Sequence, residues 1–301
     1  YLQGDASVRQ LVDEEGLRTR MSVPLVSGGR GIGAIVLSRR EVAPFGPEDM
    51  ALLDTFAEQA VIAIENVRQF RELQTRLARE AATREILEVI SQSRDDDRPV
   101  FHAVLRNANR LCGTSMAYLV LGRPEDTHMT LAAYVNPHLS SEDSVEQIIA
   151  FANQTGMRMD AAQHFSARAI LSGEVVQIAD IAASQGYLSG EPTTRILVED
   201  VGVRSILSVP LFDAQGAIGA ISLQRREERP FSDDEISLIQ SFAAQAVIAI
   251  ENVHQFRELQ TRLEREAATR EILEVISQSR DDDRPVFDAI LSNAIRLCGG
   301  D

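Results

Sequence analysis

The chain has 301 residues, 44% hydrophobic and 25% charged, a balance that suits a globular protein of about two domains and excludes wholesale disorder. Its formal net charge of -15 argues against a nucleic-acid surface, which needs clustered Lys and Arg to displace counterions, so no nucleic-acid partner is expected. With Cys112 and Cys298 as its only cysteines and no disulfide or CxxC zinc pattern, the chain suits a reducing, cytoplasmic setting.

In chain order, Thr83 to Gln92 carries Ile86, Leu87, Val89 and Ile90 at helical spacing. Asp95, Asp96, Asp97 and Pro99 then suit the opening of a second helix bearing Val100, Val104, Leu105 and Leu111, since acidic groups favour the positive helix end and Pro fits its first turn. MAYLVLG from Met116 and MTLAAYV from Met129 read as two strands across a polar turn. A helix is expected over Val145 to Ala152 and a strand over Val175 to Ile181. Ser205 to Leu211 and Ala217 to Leu223 alternate around DAQG as a hairpin. Ser232 with Glu235 forms a capping box opening a long helix, predicted to run continuously from about 233 to 278.

Much of this recurs. REAATREILEVISQSRDDDRPVF at Arg79 to Phe101 returns unchanged at Arg265 to Phe287, an offset of 186 residues that also aligns GLRTRMSVPL at Gly16 with GVRSILSVPL at Gly202. From Gly16 to Ile64 the copies share 25 of 49 residues, whereas from Glu65 to Phe101 they share 35 of 37, so the joint between units has drifted far less than the body. Both ends fall inside a unit and the first residue is Tyr1, so the chain reads as a window on a longer protein.

SVPLFDAQGAIGAISLQRREERPFSDDEISLIQSFAAQAVIAIEN from Ser208 resembles the second half of a GAF domain, and SARAILSGEVVQIADI from Ser166 resembles its middle. ENVHQFRELQTRLEREAATREILEVIS is similar to the linkers of bacterial sensor proteins that string GAF domains ahead of a histidine kinase or nucleotide cyclase. The resemblance implies an α+β fold: a GAF-like antiparallel sheet flanked by helices, in tandem repeats joined by long coiled-coil-like helices. Its expected parts are the end of one domain (1–64), a linker helix (65–82), a complete domain (83–252), a second linker (253–268) and the start of a third domain (269–301). It also implies a sensory regulatory module of a signalling protein, not itself an enzyme, whose kinase or cyclase output lies elsewhere; the alternative is a ligand-free structural array that holds dimers.

The residues offer no catalytic constellation. SGGRGIG at Ser27 to Gly33 could pass for a phosphate loop, but its second copy reads DAQGAIG and a strand follows, so it is a hairpin turn. Cyclic-nucleotide-binding relatives carry an Asn-Lys pair, then Phe, then Asp-Glu; here Gln224-Arg225 precedes Phe231, Asp234 and Glu235, and the Asn-Lys half is missing. Cys112 and Cys298 sit at apolar helix ends, and no covalent bilin and no other cofactor is expected. Of His102, His128, His138, His164 and His254 no two stand at metal-ligand spacing on one helix face, so no metal site is expected. By resemblance, an unknown small-molecule ligand would lie against the sheet face away from the helix bundle, near Tyr118, Tyr134, His164, Arg168, Asp180, Tyr187 and Arg195.

The long helix carries a heptad seam: Ile239, Phe242, Ala246, Ala249, Val253, Phe256, Gln260, Leu263 and Ala267, matched earlier by Leu53, Phe56, Ala60, Ala63, Val67, Phe70, Gln74, Leu77 and Ala81. After Asn252 it narrows between Arg257, Glu258, Arg262 and Glu264, the pattern of a parallel helix pair, so a parallel homodimer is expected along Val67, Phe70, Leu77, Val253, Phe256 and Leu263. No apolar run approaches the roughly 18 to 20 residues of a membrane span, and no membrane contact is expected in this segment.

Overall fold

The structure is a computed structural model that describes residues 11–93, 95–137, 142–278, 287, 288, 290 and 291. The chain divides into two units, Tyr1–Ala78 and Arg79–Asp301.

In the first unit, strands β1 (Thr19–Ser27) and β2 (Arg30–Arg39) form an antiparallel hairpin. Helix α1 (Pro47–Gln92) starts in this unit, with Leu53 and Ala57 buried.

The second unit is built on a six-stranded antiparallel sheet of order β5-β4-β3-β8-β7-β6. Its strands are β3 (Met116–Leu121), β4 (His128–Val135), β5 (Met157–Arg158), β6 (Val176–Ile178), β7 (Ser205–Asp213) and β8 (Gly216–Arg225). Helix α2 (Arg98–Cys112) and the final helix α7 (Asp233–Gln278) cover one face. There Ala117, Leu119, Leu207, Ile221 and Leu223 meet Phe101, Val104 and Leu105 of α2, Ile239, Phe242 and Ala246 of α7, and Ala82 and Ile86 from the end of α1. This layer is the main core, and burying each large apolar side chain contributes about 1.5–3 kcal/mol.

The opposite face is covered by α3 (Glu142–Thr155), α4 (Phe165–Ser172), a 3-10 turn (Ile181–Ala183) and the short helices α5 (Gln185–Leu188) and α6 (Pro192–Glu199). This antiparallel sheet between helical layers, with a long last helix, agrees with the fold expected from sequence.

Local chemistry sets the boundaries. Pro99 lies in the first turn of α2, and Gly113 ends that helix at φ 59, a left-handed conformation costly for other residues. The β7–β8 turn is closed by Asp213, whose Oδ1 accepts from the backbone N–H of Gln215 and Gly216 at 2.9 and 3.0 Å. The capping box opens α7 as expected: Ser232 N–H donates to Glu235 at 2.9 Å and Glu235 N–H to Ser232 Oγ at 3.3 Å. Two elements differ from the sequence reading. The strand expected over Val175 to Ile181 is only Val176–Ile178, because the Asp180 side chain accepts from Ala182 N–H and turns the chain into the 3-10 helix. The helix expected over Val145 to Ala152 extends to Glu142 and Thr155, ending at Gly156 (φ 79).

Candidate functional site

The helix-bundle side of the sheet is aliphatic, but the opposite side is polar at its centre. Cross-strand pairs put Tyr134, Tyr118, Ser222, Ser208 and Val176 in one row across β4, β3, β8, β7 and β6. The next row holds Met116, Gln224, Ile206 and Ile178. Ser208, Ser222 and Gln224 are buried, and the two serine hydroxyls bond each other at 2.7 Å. Helix α4 packs over these rows and brings Ser166, wholly buried, towards the Tyr118 phenol. Among the described residues Ser166 Oγ and Gln224 Oε1, like Arg225 Nε and Gln245 Oε1 elsewhere in the core, make no hydrogen bond of ordinary length, and the Tyr118 phenol is the polar group beside the first two. Burial raises the Tyr118 pKa, opposed by its neighbours Ser222, Ser166 and Gln224, and the phenol keeps its proton at neutral pH.

The residues expected to line a ligand site divide into those at this patch and those engaged elsewhere. Tyr118 and Tyr134 face each other across β3 and β4, and the Tyr134 hydroxyl accepts from Asn136 Nδ2 at 3.3 Å. His164 is the residue before α4, where burial lowers its pKa against the pull of Glu191 and Asp160. Arg168 donates to the Ala161 carbonyl at 3.1 and 3.2 Å and lies 5.4 Å from the Phe165 ring centre. Asp180 receives a two-pronged bond from Arg204 at 2.8 and 2.9 Å, which lowers its pKa. Tyr187 and Arg195 both donate to Glu199, at 3.4 and 3.1 Å. Ser166, Ser208, Ser222 and Gln224, which line this buried patch, are not among the residues expected from sequence.

Of the expected seam positions, Val67, Phe70 and Leu77 on α1 and Leu263 on α7 are exposed, and Phe256 is half-buried. Val253 is only 2% exposed, packed by its own chain. Helix α7 is long and apolar enough to cross a membrane by length and composition, yet Ile239, Phe242, Ala246, Val247 and Ala249 are core residues here.

The segment that departs from the cyclic-nucleotide pattern forms a tight polar lock. Arg225 is wholly buried, with its guanidinium 3.8 Å from the Phe231 ring centre. It pairs with Glu235 and donates to the carbonyls of Cys112, Arg229 and Pro230 at 2.6, 3.2 and 3.2 Å. The first unit repeats the device: Arg39 lies 4.0 Å from the Phe45 ring centre, donates to Ala43 O at 3.1 Å and pairs with Asp49 at 3.3 Å. Desolvation raises the Glu235 pKa, but the Ser232 N–H and Arg225 outweigh it and hold the carboxylate below its ordinary range.

Several clefts open on the second unit among the described residues. One of about 620 Å³ lies where β3, the β7–β8 turn and α7 meet, beside Arg123, Asp213 and His254. Another, about 500 Å³, lies between α2, α3 and β4 and reaches Tyr134, with His102, Arg106, Asn136 and Glu146 around it. Among the described residues no group of three or more His, Cys, Asp or Glu side chains could hold a metal ion. Cys112 is buried, and desolvation pushes its thiol up to about 12, so it is no nucleophile at neutral pH. His138 and Cys298 lie outside the described residues.

A GAF-domain family model matches residues 96–250, and a second GAF-domain model matches residues 2–65. No curated protein matches the chain. Similar solved structures include the GAF domain of a phosphoenolpyruvate-protein phosphotransferase from Coxiella burnetii, 13% identical, with a TM-score of 0.46 over 61% of this chain and 96% of that one. The free methionine-R-sulfoxide reductase from Neisseria meningitidis, in complex with its substrate, is 16% identical, with a TM-score of 0.44 over 60% of this chain and 93% of that one. A GAF domain/HD domain protein from Geobacter sulfurreducens is 17% identical, with a TM-score of 0.42 over 54% of this chain and 95% of that one.

Proposed function

Because the chain belongs to the GAF-domain family, we propose that residues 83–252 are a sensory regulatory module whose small-molecule ligand docks on the sheet face carrying Tyr118 and Tyr134. His164 and Arg168 border that face; Asp180, Tyr187 and Arg195 hold the covering segment through Arg204 and Glu199. The state of the module passes through α7 to an output domain, a histidine kinase or nucleotide cyclase, in a cytoplasmic bacterial signalling protein built of tandem units. Two chains pair in parallel along the exposed stripe of the linker helices, with Leu263 at the seam.

One observation supports the ligand reading: the sheet face beneath α4 carries a buried polar row, Tyr118, Ser222 and Ser208 with Gln224 and Ser166 beside it, where the opposite face is aliphatic. The relay reading rests on Arg225, at the end of the strand that carries Ser222 and Gln224, because it also pairs with Glu235 in the first turn of α7.

A second reading, a ligand-free structural spacer, is favoured by the engagement of Asp180, Tyr187 and Arg195 with protein partners. Thermal melting of the full chain against a broad metabolite panel, with native mass spectrometry of the protein as purified, separates the two. The sensory reading expects a shift or a retained small molecule. A flat panel with no retained mass leaves the spacer.

A further inference from the structure

We infer that each unit carries a docking groove for the matching unit of a second copy of this chain, so that two chains meet at their domains as well as along the linker helices. This rests on the parallel pairing proposed above and adds a second contact to it.

In the second unit a cleft of about 410 Å³ has Val209, Pro210 and Phe212 of β7 on one side and Gln240, Ala243 and Ala244 of α7 on the other. In the first unit a cleft of about 620 Å³ is lined by Val23, Pro24 and Val26 of β1 and by Asp54, Ala57 and Glu58 of α1. The two sets correspond position for position at the repeat offset of 186 residues. Each unit therefore opens the same groove by itself. The Val, Pro and inner Ala are kept, while Gln240 and Ala244 at the rim give way to Asp54 and Glu58.

The occupant is not a segment of the same unit. The second unit has its six-stranded sheet and covering helices in place, and among the described residues the groove stays open there. An added strand does not suit the groove either. β6 pairs with β7 only at Ile206, Leu207 and Ser208, which frees the edge from Val209 onward. Pro210, and Pro24 in the first unit, has no N–H to offer a strand laid along that edge. The occupant must instead present side chains, and it must recur every 186 residues. A second copy of this chain meets both conditions, since an isologous contact puts the same surface on both partners.

Ile248 supplies the side chain. It lies one turn beyond Ala244 on the same face of α7 and is 46% exposed; its counterpart Ile62, one turn beyond Glu58 on α1, is 50% exposed. At 3.6 residues per turn, Ile248, Leu259 and Leu263 fall within about 60° of one another around α7, as do Ile62, Leu73 and Leu77 around α1. All six are exposed. In each unit the groove thus stands at the head of an exposed apolar stripe that continues into the linker.

The test uses the full chain with Cys298→Ser, which leaves the buried Cys112 as its native thiol, and adds one cysteine at a time: Ile62→Cys, Ile248→Cys or Leu263→Cys. Copper–phenanthroline with dissolved oxygen takes up the two electrons and two protons released when two thiols join. Linked chains are read on a non-reducing gel, and the joined peptides by mass spectrometry. All three variants are expected to give dimers linked through the introduced cysteine. When the Ile62→Cys and Ile248→Cys chains are mixed, a link between the two different positions is expected to be absent. Ile62→Asp with Ile248→Asp, both at exposed positions, is expected to weaken the homodimer about tenfold or more in analytical ultracentrifugation, with far-ultraviolet circular dichroism unchanged. Links through Leu263→Cys with none at either isoleucine overturn the inference and leave the linker pairing intact. A wild-type chain that stays monomeric at high micromolar concentration removes both. Links between the two different positions overturn the pairing of matching units. Dimer affinity unaltered by the two aspartates shows that a second copy does not fill the grooves, and overturns the inference on its own.

Discussion

The Arg225 guanidinium lies over the ring of Phe231, 3.8 Å from its centre, while pairing with Glu235. Removing one member of a buried ion pair strands the other, so Arg225→Met is expected to destabilise the second unit by about 3–5 kcal/mol in urea titration. The double change Arg225→Met with Glu235→Leu is expected to recover much of that loss. The counterpart Arg39 is 34% exposed at its side chain, so Arg39→Met is expected to cost under about 1 kcal/mol.

Gly219 shows why its hairpin cannot carry a side chain at that point. A Cβ there would stand 2.3 Å from the Val120 carbonyl of the neighbouring strand, against backbone that cannot move aside. Gly219→Ala is therefore expected to cost roughly 2 kcal/mol or more. At Gly33 the added Cβ meets only Leu25 Cδ1, at 3.4 Å, and Gly33→Ala is expected to change stability by less than about 1 kcal/mol. Denaturant midpoints of the two variants give the comparison directly.

His164 predicts a pH dependence. Its folded pKa lies below the ordinary 6.5, so the unfolded chain binds its proton more readily. The contribution is present in full above 6.5 and is lost as pH falls through that value towards the folded one. Melting of the full chain should therefore weaken as pH falls below 6.5, and His164→Gln should flatten that slope. Glu235 acts in a lower window: its depressed pKa adds stability that is lost only as pH falls below the ordinary 4.5.

Two positions of the same heptad stripe should respond differently to a charge. Leu263 is 57% exposed, so Leu263→Asp is expected to leave the fold intact and weaken the proposed homodimer about tenfold or more in analytical ultracentrifugation. Val253 is 2% exposed within its own chain, so Val253→Asp is expected to lower the melting temperature whatever the oligomeric state. A wild-type chain that stays monomeric at high micromolar concentration removes the dimer proposal.

The hairpin around Asp213, the capping box at Ser232 and the long last helix were legible in the sequence because each depends on residues close together in the chain. The polar patch was not. Ser208, Ser222 and Gln224 alternate with Leu207, Val209, Ile221 and Leu223, and period-two alternation reads them as a solvent face. Only the packing of α4 reveals that this face is covered. The second role of Glu235 was hidden for the same reason. Its capping partner is three residues away, but its ion-pair partner lies at the end of another element. Val253 shows the converse, since heptad spacing alone does not say whether the facing surface is a second chain or the helix's own sheet and helices.

One side chain, Arg225, holds the carbonyl at the end of α2, two carbonyls of the 226–232 segment and the first turn of α7. These pieces therefore open together or not at all, and piecemeal fraying has no route through this corner. In native-state hydrogen exchange the amides of the last turn of α2 and the first turns of α7 should behave as one cooperative block, released by Arg225→Met in a single step.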